Sequence, residues 1–206
     1  ISRMMRKHHL KSYPKNSFYQ YLASDGKEGN APLETSRAFP ESGFYFLRSD
    51  WSRDAIFMPF KANKTAGEWH NHIDNGTFGL YAYGRNFMND SGSYLYGSDD
   101  PEEQKWRAWF KSTKAHQTMT LDGNNINLDA DCIHWSDEEN LTSLVIENKS
   151  YKDLSHRRTI LFIDKQFFVI HDEALGEATG EVKFHFQLVP APVQMNESSE
   201  IGRAHV

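Results

Sequence analysis

Two histidines, His70 and His72, stand two residues apart in the run Trp69-His70-Asn71-His72-Ile73-Asp74-Asn75-Gly76-Thr77-Phe78. In an extended segment, residues i and i+2 point to the same face, so both imidazoles can line one site. Gly67 before the pair and Gly76 after it disfavour a helix, on which the same spacing would diverge by about 200°. Asp90 follows the next strand-like stretch and precedes Ser91-Gly92, where a loop can return it to the pair. His116 opens the expected strand Gln117-Thr118-Met119-Thr120. Two imidazoles and one carboxylate with an open fourth position suit a divalent cation, zinc above all. Against that stands the plainer reading that His-x-His pairs mostly lie on strand faces or surfaces, and acidic residues are plentiful.

The remaining candidates are weaker. His134, His156, His171 and His185 are scattered among strands and read as core or surface imidazoles. His8-His9 lies in a basic run and reads as solvated, and Arg157-Arg158 reads as a solvated strand end rather than an anion site. Cys132 is the single cysteine, which excludes an intramolecular disulfide and a thiolate metal cluster, and it reads as a small buried apolar residue. No phosphate-cradling glycine loop and no Gly-x-Ser-x-Gly elbow is present.

The elements that position these residues are strands. Ile56, Met58 and Phe60 recur at period two, as do Phe78, Leu80 and Ala82. Phe44 to Leu47, Thr118 to Leu121, Thr142 to Ile146 and Val182 to Val189 read the same way. Thr159 to Ile163 and Phe167 to Ile170 flank Asp164-Lys165-Gln166 as a hairpin. Many short strands with polar turns predict an antiparallel β-sandwich, mainly β in class. The stretch Ser98 to Lys105, with four acidic residues, is an exposed loop or a short helix.

The 206 residues carry a net charge of −5, which gives no sign of a nucleic-acid partner. No apolar run approaches the roughly 18 residues of a membrane helix. Aromatic residues make up 14% of the chain, which suits a packed β core or a sugar-contacting face. Residues 1–37 are expected to be the end of an upstream helical unit, broken at Pro14, with a polar linker through Ser24-Asp25-Gly26. Residues 38–199 form the sandwich, expected to lack its closing strands. Residues 200–206, with Ile201-Gly202-Arg203-Ala204-His205-Val206, look like the translation of a sequencing adapter and are set apart as a non-native tail, so His205 is not counted as a ligand.

Three blocks carry a resemblance: Trp69 to Phe78; Gly84-Arg85-Asn86-Phe87 with Asp90-Ser91-Gly92-Ser93-Tyr94-Leu95-Tyr96-Gly97; and Arg107 to Thr118. In this order they resemble the heparinase II/III-like polysaccharide lyases, closest to the heparinase III branch, over about Gly43 to Val189. The resemblance implies an upstream α/α toroid packed on the sandwich and an acidic polysaccharide in the cleft between them. It implies β-elimination on a uronic-acid-containing glycosaminoglycan such as heparan sulfate, in a periplasmic or secreted enzyme. His70 matches the active-site histidine, as carboxylate neutraliser or part of the acid/base set. His72, Asp90 and His116 match metal positions of the heparinase II side, with zinc as the cation. The tyrosine acid/base belongs to the toroid, so this chain alone is expected to be inactive. Two alternatives stay open. One is a non-catalytic carbohydrate-binding sandwich using Trp51, Trp106, Trp109 and Trp135; the other is a lyase of alginate or another uronate polymer.

Overall fold

The structure, a computed structural model, describes residues 3–64 and 70–190, with side chains from His8 onward. Trp69 and the tail that begins at residue 200 lie outside these. Two helices come first, α1 (Arg3–Ser12) and α2 (Ser17–Ala23), separated at Pro14. Asn16 caps α2 by accepting a hydrogen bond from the Tyr19 amide at 3.0 Å.

Strands β1 (Arg37–Phe39), β2 (Phe44–Arg48), β3 (Phe57–Lys61), β4 (Thr77–Phe78), β5 (Leu80–Ala82) and β6 (Arg85–Met88) form one antiparallel sheet. Strand β3 pairs with both β4 and β5, which are parted at Gly79. Pro59 causes the parting: it has no N–H to give, so the Gly79 amide donates to the Pro59 carbonyl at 3.0 Å without a return bond. A Cβ at Gly79 would come within 3.3 Å of the Pro59 ring.

The second sheet is a meander of β8 (Ala130–Asp137), β9 (Leu141–Tyr151), β10 (Leu154–Ile163) and β11 (Phe167–Gly176). The expected hairpin joins β10 to β11, with Asp164 and Lys165 both at positive φ (51° and 54°). That pair of left-handed residues is the twist a tight hairpin needs. A short ribbon pairs β7 (Met119–Leu121) with β12 (Val182–Phe184). The strand at Val182 is shorter than its alternation suggests, and of Val182, Phe184 and Phe186, which alternate on one face, only Phe186 packs on the core.

Leu47, Met58, Phe60 and Phe78 of the first sheet meet Leu144, Ile146, Ile160 and Phe162 of the second, giving the two-layer antiparallel sandwich. Strand β10 shows how the interior changes character along its length. Its even positions all face inward: Ile160 and Phe162 enter the apolar core, whereas His156 and Arg158 enter a polar network. Arg158 is therefore not at a solvated strand end. The strand begins at Leu154, five residues before the expected start at Thr159, and Arg158 is 1% exposed.

The acidic stretch after Ser98 becomes a helix, α3 (Pro101–Phe110). Asp100 accepts hydrogen bonds from the Glu102 and Glu103 amides, Pro101 starts the first turn, and the two glutamates sit at the positive end of the helix dipole.

Candidate functional site

The site is assembled where the loop 70–76 crosses the segment leading from α3 into β7. No strand carries His70 and His72; they lie on an irregular loop. That loop is fixed by backbone and side-chain bonds instead. The Ile73 amide donates to the Lys111 carbonyl at 3.0 Å, and the Thr113 hydroxyl donates to the Ile73 carbonyl at 2.9 Å. Further along, Asn75 is fully buried: its amide group donates to the Asn63 carbonyl (2.7 Å) and to Asn148 Oδ1 (2.8 Å), and its Oδ1 accepts from the Asn63 amide (2.9 Å). These bonds tie the His-x-His loop to both sheets.

His116 does not open a strand. It caps a short 3-10 turn at Thr113–Ala115, three residues before β7, and is 0% exposed. The turn directs the ring inward beside His72, with ring centroids 5.2 Å apart. Asp90, just past β6, closes the group: its Oδ2 lies 3.0 Å from His116 Nδ1. Its Oδ1 is engaged by the Gly92 amide at 2.7 Å, which orients the carboxylate. The approach of Oδ2 satisfies the distance of an ion pair but not the direction of a ring N–H. Neither nitrogen of His116 has a hydrogen-bond partner among the described residues. Two buried nitrogens without partners are costly.

Asp74 joins the set. One ligand atom from each of His72, Asp74, Asp90 and His116 lies within 4.8 Å of the others. Asp74 was overlooked in the sequence although it stands two residues from His72, the same spacing that singles out His70. Its Oδ1 accepts from the Lys61 ammonium at 2.7 Å, and Lys61 also donates to Asn71 Oδ1 at 2.7 Å. His72 and Asp90 resist protonation, which suits cation binding. Burial and the neighbouring His116 push His72 below the ordinary imidazole range. The His116 ring, helped by the Gly92 amide, holds Asp90 down to about 2 despite its partial burial. A neutral imidazole and an ionised carboxylate are the forms a metal ion takes.

His70 sits apart from this group but shares its cleft. It is exposed, its ring 5.6 Å from that of Tyr96, at a cleft of about 400 Å³ lined also by Phe44, Lys61, His72, Asp74 and Asp90. The structure thus brings His72, Asp90 and His116 together and leaves His70 facing outward beside them.

Behind the site lies a clamp that sequence reasoning missed. Arg158 forks onto Asp172 (Nε to Oδ1 2.6 Å, Nη2 to Oδ2 2.9 Å), and its Nη1 donates to the carbonyls of Gly76 (2.6 Å) and Gln117 (2.5 Å). One guanidinium therefore holds both chain segments that carry the cluster. His156 completes the network, its Nε2 2.8 Å from Asp172 Oδ1. Burial raises the Asp172 carboxyl, yet the bonds from His156 and Arg158 outweigh it and hold the group at about 2. Burial, with Arg158 adding to it, keeps His156 below its ordinary 6.5.

Both depressions have the same sign for stability. The unfolded chain takes up protons first, so stability is full above the unfolded values and falls as pH falls. The His156 share is lost below 6.5 and the Asp172 share, about 2 kcal/mol, between 3.8 and about 2. Thermal scans should show a melting temperature that declines on acidification from about pH 6.5, more steeply below about pH 4. A melting temperature that rises over that interval would contradict the network.

The heparinase II/III-like C-terminal family model matches residues 31–203. The chain belongs to that family. A heparin-sulfate lyase of Bacteroides stercoris is 43% identical over 179 residues, which is 86% of this chain and 27% of that protein. One from Pedobacter heparinus is 42% identical over 177 residues, again 27% of its length. The crystal structure of heparan sulfate lyase HepC from Pedobacter heparinus superposes with a TM-score of 0.86 at 40% identity, covering 91% of this chain and 29% of that one. The chain thus spans little more than a quarter of these heparinase-family relatives.

Proposed function

We propose that this chain is the β-sandwich portion of a polysaccharide lyase that cleaves a uronic-acid-containing glycosaminoglycan of the heparan sulfate kind. The observation that carries the reading is His70, exposed at a cleft lined also by His72 and Asp90, which group with the buried His116. In such a reaction a base takes the C5 proton of the uronate, the C4–O bond to the next sugar breaks, and a C4=C5 double bond forms. The leaving oxygen takes up a proton. The C5 proton is weakly acidic, so the uronate carboxylate must be neutralised as the base acts. His70 would donate to that carboxylate from the sandwich side. The acid/base groups opposite it belong to an upstream α/α toroid, of which residues 1–37 are the trailing end and linker.

His72, Asp90 and His116, with Asp74 as a further donor, would hold a divalent cation, and two imidazoles with carboxylates favour zinc. A bound cation there would pin the loop behind His70. The partly unmatched polar atoms of His116 support this. Among the described residues no helix is long and apolar enough to cross a membrane, and a periplasmic or secreted setting follows from the substrate.

The test is turnover of heparan sulfate, read as ultraviolet absorbance of the unsaturated product. The isolated chain should give none. A protein that joins it to its upstream toroid should be active, and His70→Ala there should lower kcat at least about a hundredfold, the scale of a lost acid–base group. Product formation by the isolated chain, or full activity of the His70→Ala protein, would overturn the reading.

A further inference from the structure

Helix α3 buries none of its residues, yet it carries Trp106, Trp109 and Phe110. At i, i+3 and i+4 they share one face. Trp106 and Trp109 remain 44% and 42% exposed, and the preceding loop adds Tyr94 at 53% and Tyr96 at 71%. Four of the five rings form one contact cluster. Tyr94 stacks on Phe110 (5.5 Å, 11°), Trp109 meets Phe110 edge-on (5.0 Å, 84°), and Trp106 lies 6.4 Å from Trp109. Arg107 donates to the Leu95 carbonyl and sits over the Tyr96 ring at 5.7 Å. Tyr96 in turn touches His70. The α3 rings with Tyr94 thus form one aromatic cluster, and Tyr96 beside His70 is tied to the same helix through Arg107.

We propose that this cluster is a sugar-stacking subsite, which holds residues of the polysaccharide beyond the unit at His70; it rests on the reading of this chain as part of a glycosaminoglycan lyase. The axial C–H faces of a pyranose ring are apolar and pack on aromatic rings, whereas its hydroxyl and sulfate groups need donors at the rim. The cluster has both kinds of surface. Its two Trp rings meet at 74° and present separate faces, and Lys105 and Arg107 are interleaved with them in the helix. A docking face for another protein domain would instead be depleted of charge at its centre. The acidic start of α3 does not forbid a polyanion. Glu103 lies about 9 Å along the axis from Trp109 but only about 4.5 Å from Trp106, so the Trp106 end takes the apolar face of a sugar and its sulfates lie toward Arg107.

The test uses the 206-residue chain and size-defined heparan sulfate octasaccharides. Hydrogen exchange should show protection of residues 93–111 when the oligosaccharide is added, and none with inorganic sulfate at equal ionic strength. Titration calorimetry should give a Kd at least tenfold weaker for Trp106→Ala/Trp109→Ala, with most of the affinity retained in Trp106→Phe/Trp109→Phe. Equal affinity in the alanine protein, or binding without protection of 93–111, would overturn the subsite. So would protection of this segment by the joined toroid alone with no gain on adding sugar, which would make it a domain interface. Absence of any binding would also overturn the subsite, while turnover by the joined protein decides the lyase reading separately.

Discussion

Replacing Arg158 with methionine will lower the melting temperature of this chain by roughly 6–20 °C, the consequence of losing about 3–5 kcal/mol at about 2–4 °C per kcal/mol for a chain of this size. The magnitude follows from what would be left behind. Asp172 would be a buried carboxylate with only His156 as partner, and the carbonyls of Gly76 and Gln117 would lose their donor. Removing one member of a buried pair costs far more than the pair contributes. Lysine should rescue little, because a single ammonium cannot reproduce a fork that serves a carboxylate and two carbonyls at once. The guanidinium also lies over the rings of Phe78 and Phe186, 5.3 and 5.7 Å from their centroids. The double change Arg158→Met/Asp172→Leu should cost clearly less than the sum of the single changes, since neither charge is then stranded. A single variant that melts within about 2 °C of the parent, or additive costs in the cycle, would show that the clamp does not hold the sandwich together.

This clamp also marks the boundary of what the sequence discloses. Period-two runs of apolar residues located β2, β3, β5 and the β10–β11 hairpin because a strand face that meets the other sheet has to be apolar. The same rule hid the beginning of β10. There the inward face is His156 and Arg158, and hydrophobic alternation carries no signal where the interior is a hydrogen-bonded polar network. The cluster was legible in three of its members for different reasons. His72 stood out by spacing, Asp90 by its place before Ser91-Gly92, and His116 by the family blocks. Asp74 and Lys61 did not stand out, since one acid among many and one lysine on a strand acquire meaning only when the fold sets them 2.7 Å apart. His70 and His72 line one cleft as their spacing suggests, but on a loop tied at Ile73 and Asn75 rather than in a sheet ladder. Helix α3 was half legible, for the Asp100-Pro101-Glu102-Glu103 start is a strong N-terminal signal, but nothing local told how far it would run.

The second large effect concerns His116. Zinc added to the metal-free chain should raise its melting temperature, and His116→Ala should abolish the rise. At free metal about a thousandfold above Kd, linkage supplies about 4 kcal/mol, or roughly 8–16 °C here. A chelator should return the parent protein to its starting value and leave the variant unchanged. The metal-free state supplies a sharper criterion. An ordinary buried histidine is held by hydrogen bonds that a variant would forfeit. His116 is fully buried, and its recorded polar contact, Asp90 Oδ2 at 3.0 Å from Nδ1, lies off the direction of a ring N–H. His116→Leu, which fills much of the same volume without polar atoms, forfeits only the Asp90 contact and should therefore cost the metal-free protein little, and still fail to respond to zinc. A structural histidine would give the opposite pair of results: destabilisation by leucine and no metal response in the parent. Stability and metal response thus separate the two roles without reference to catalysis. They also place the energetic cost where a ligand would be needed to relieve it, at the turn that carries His116 beneath the loop bearing His70.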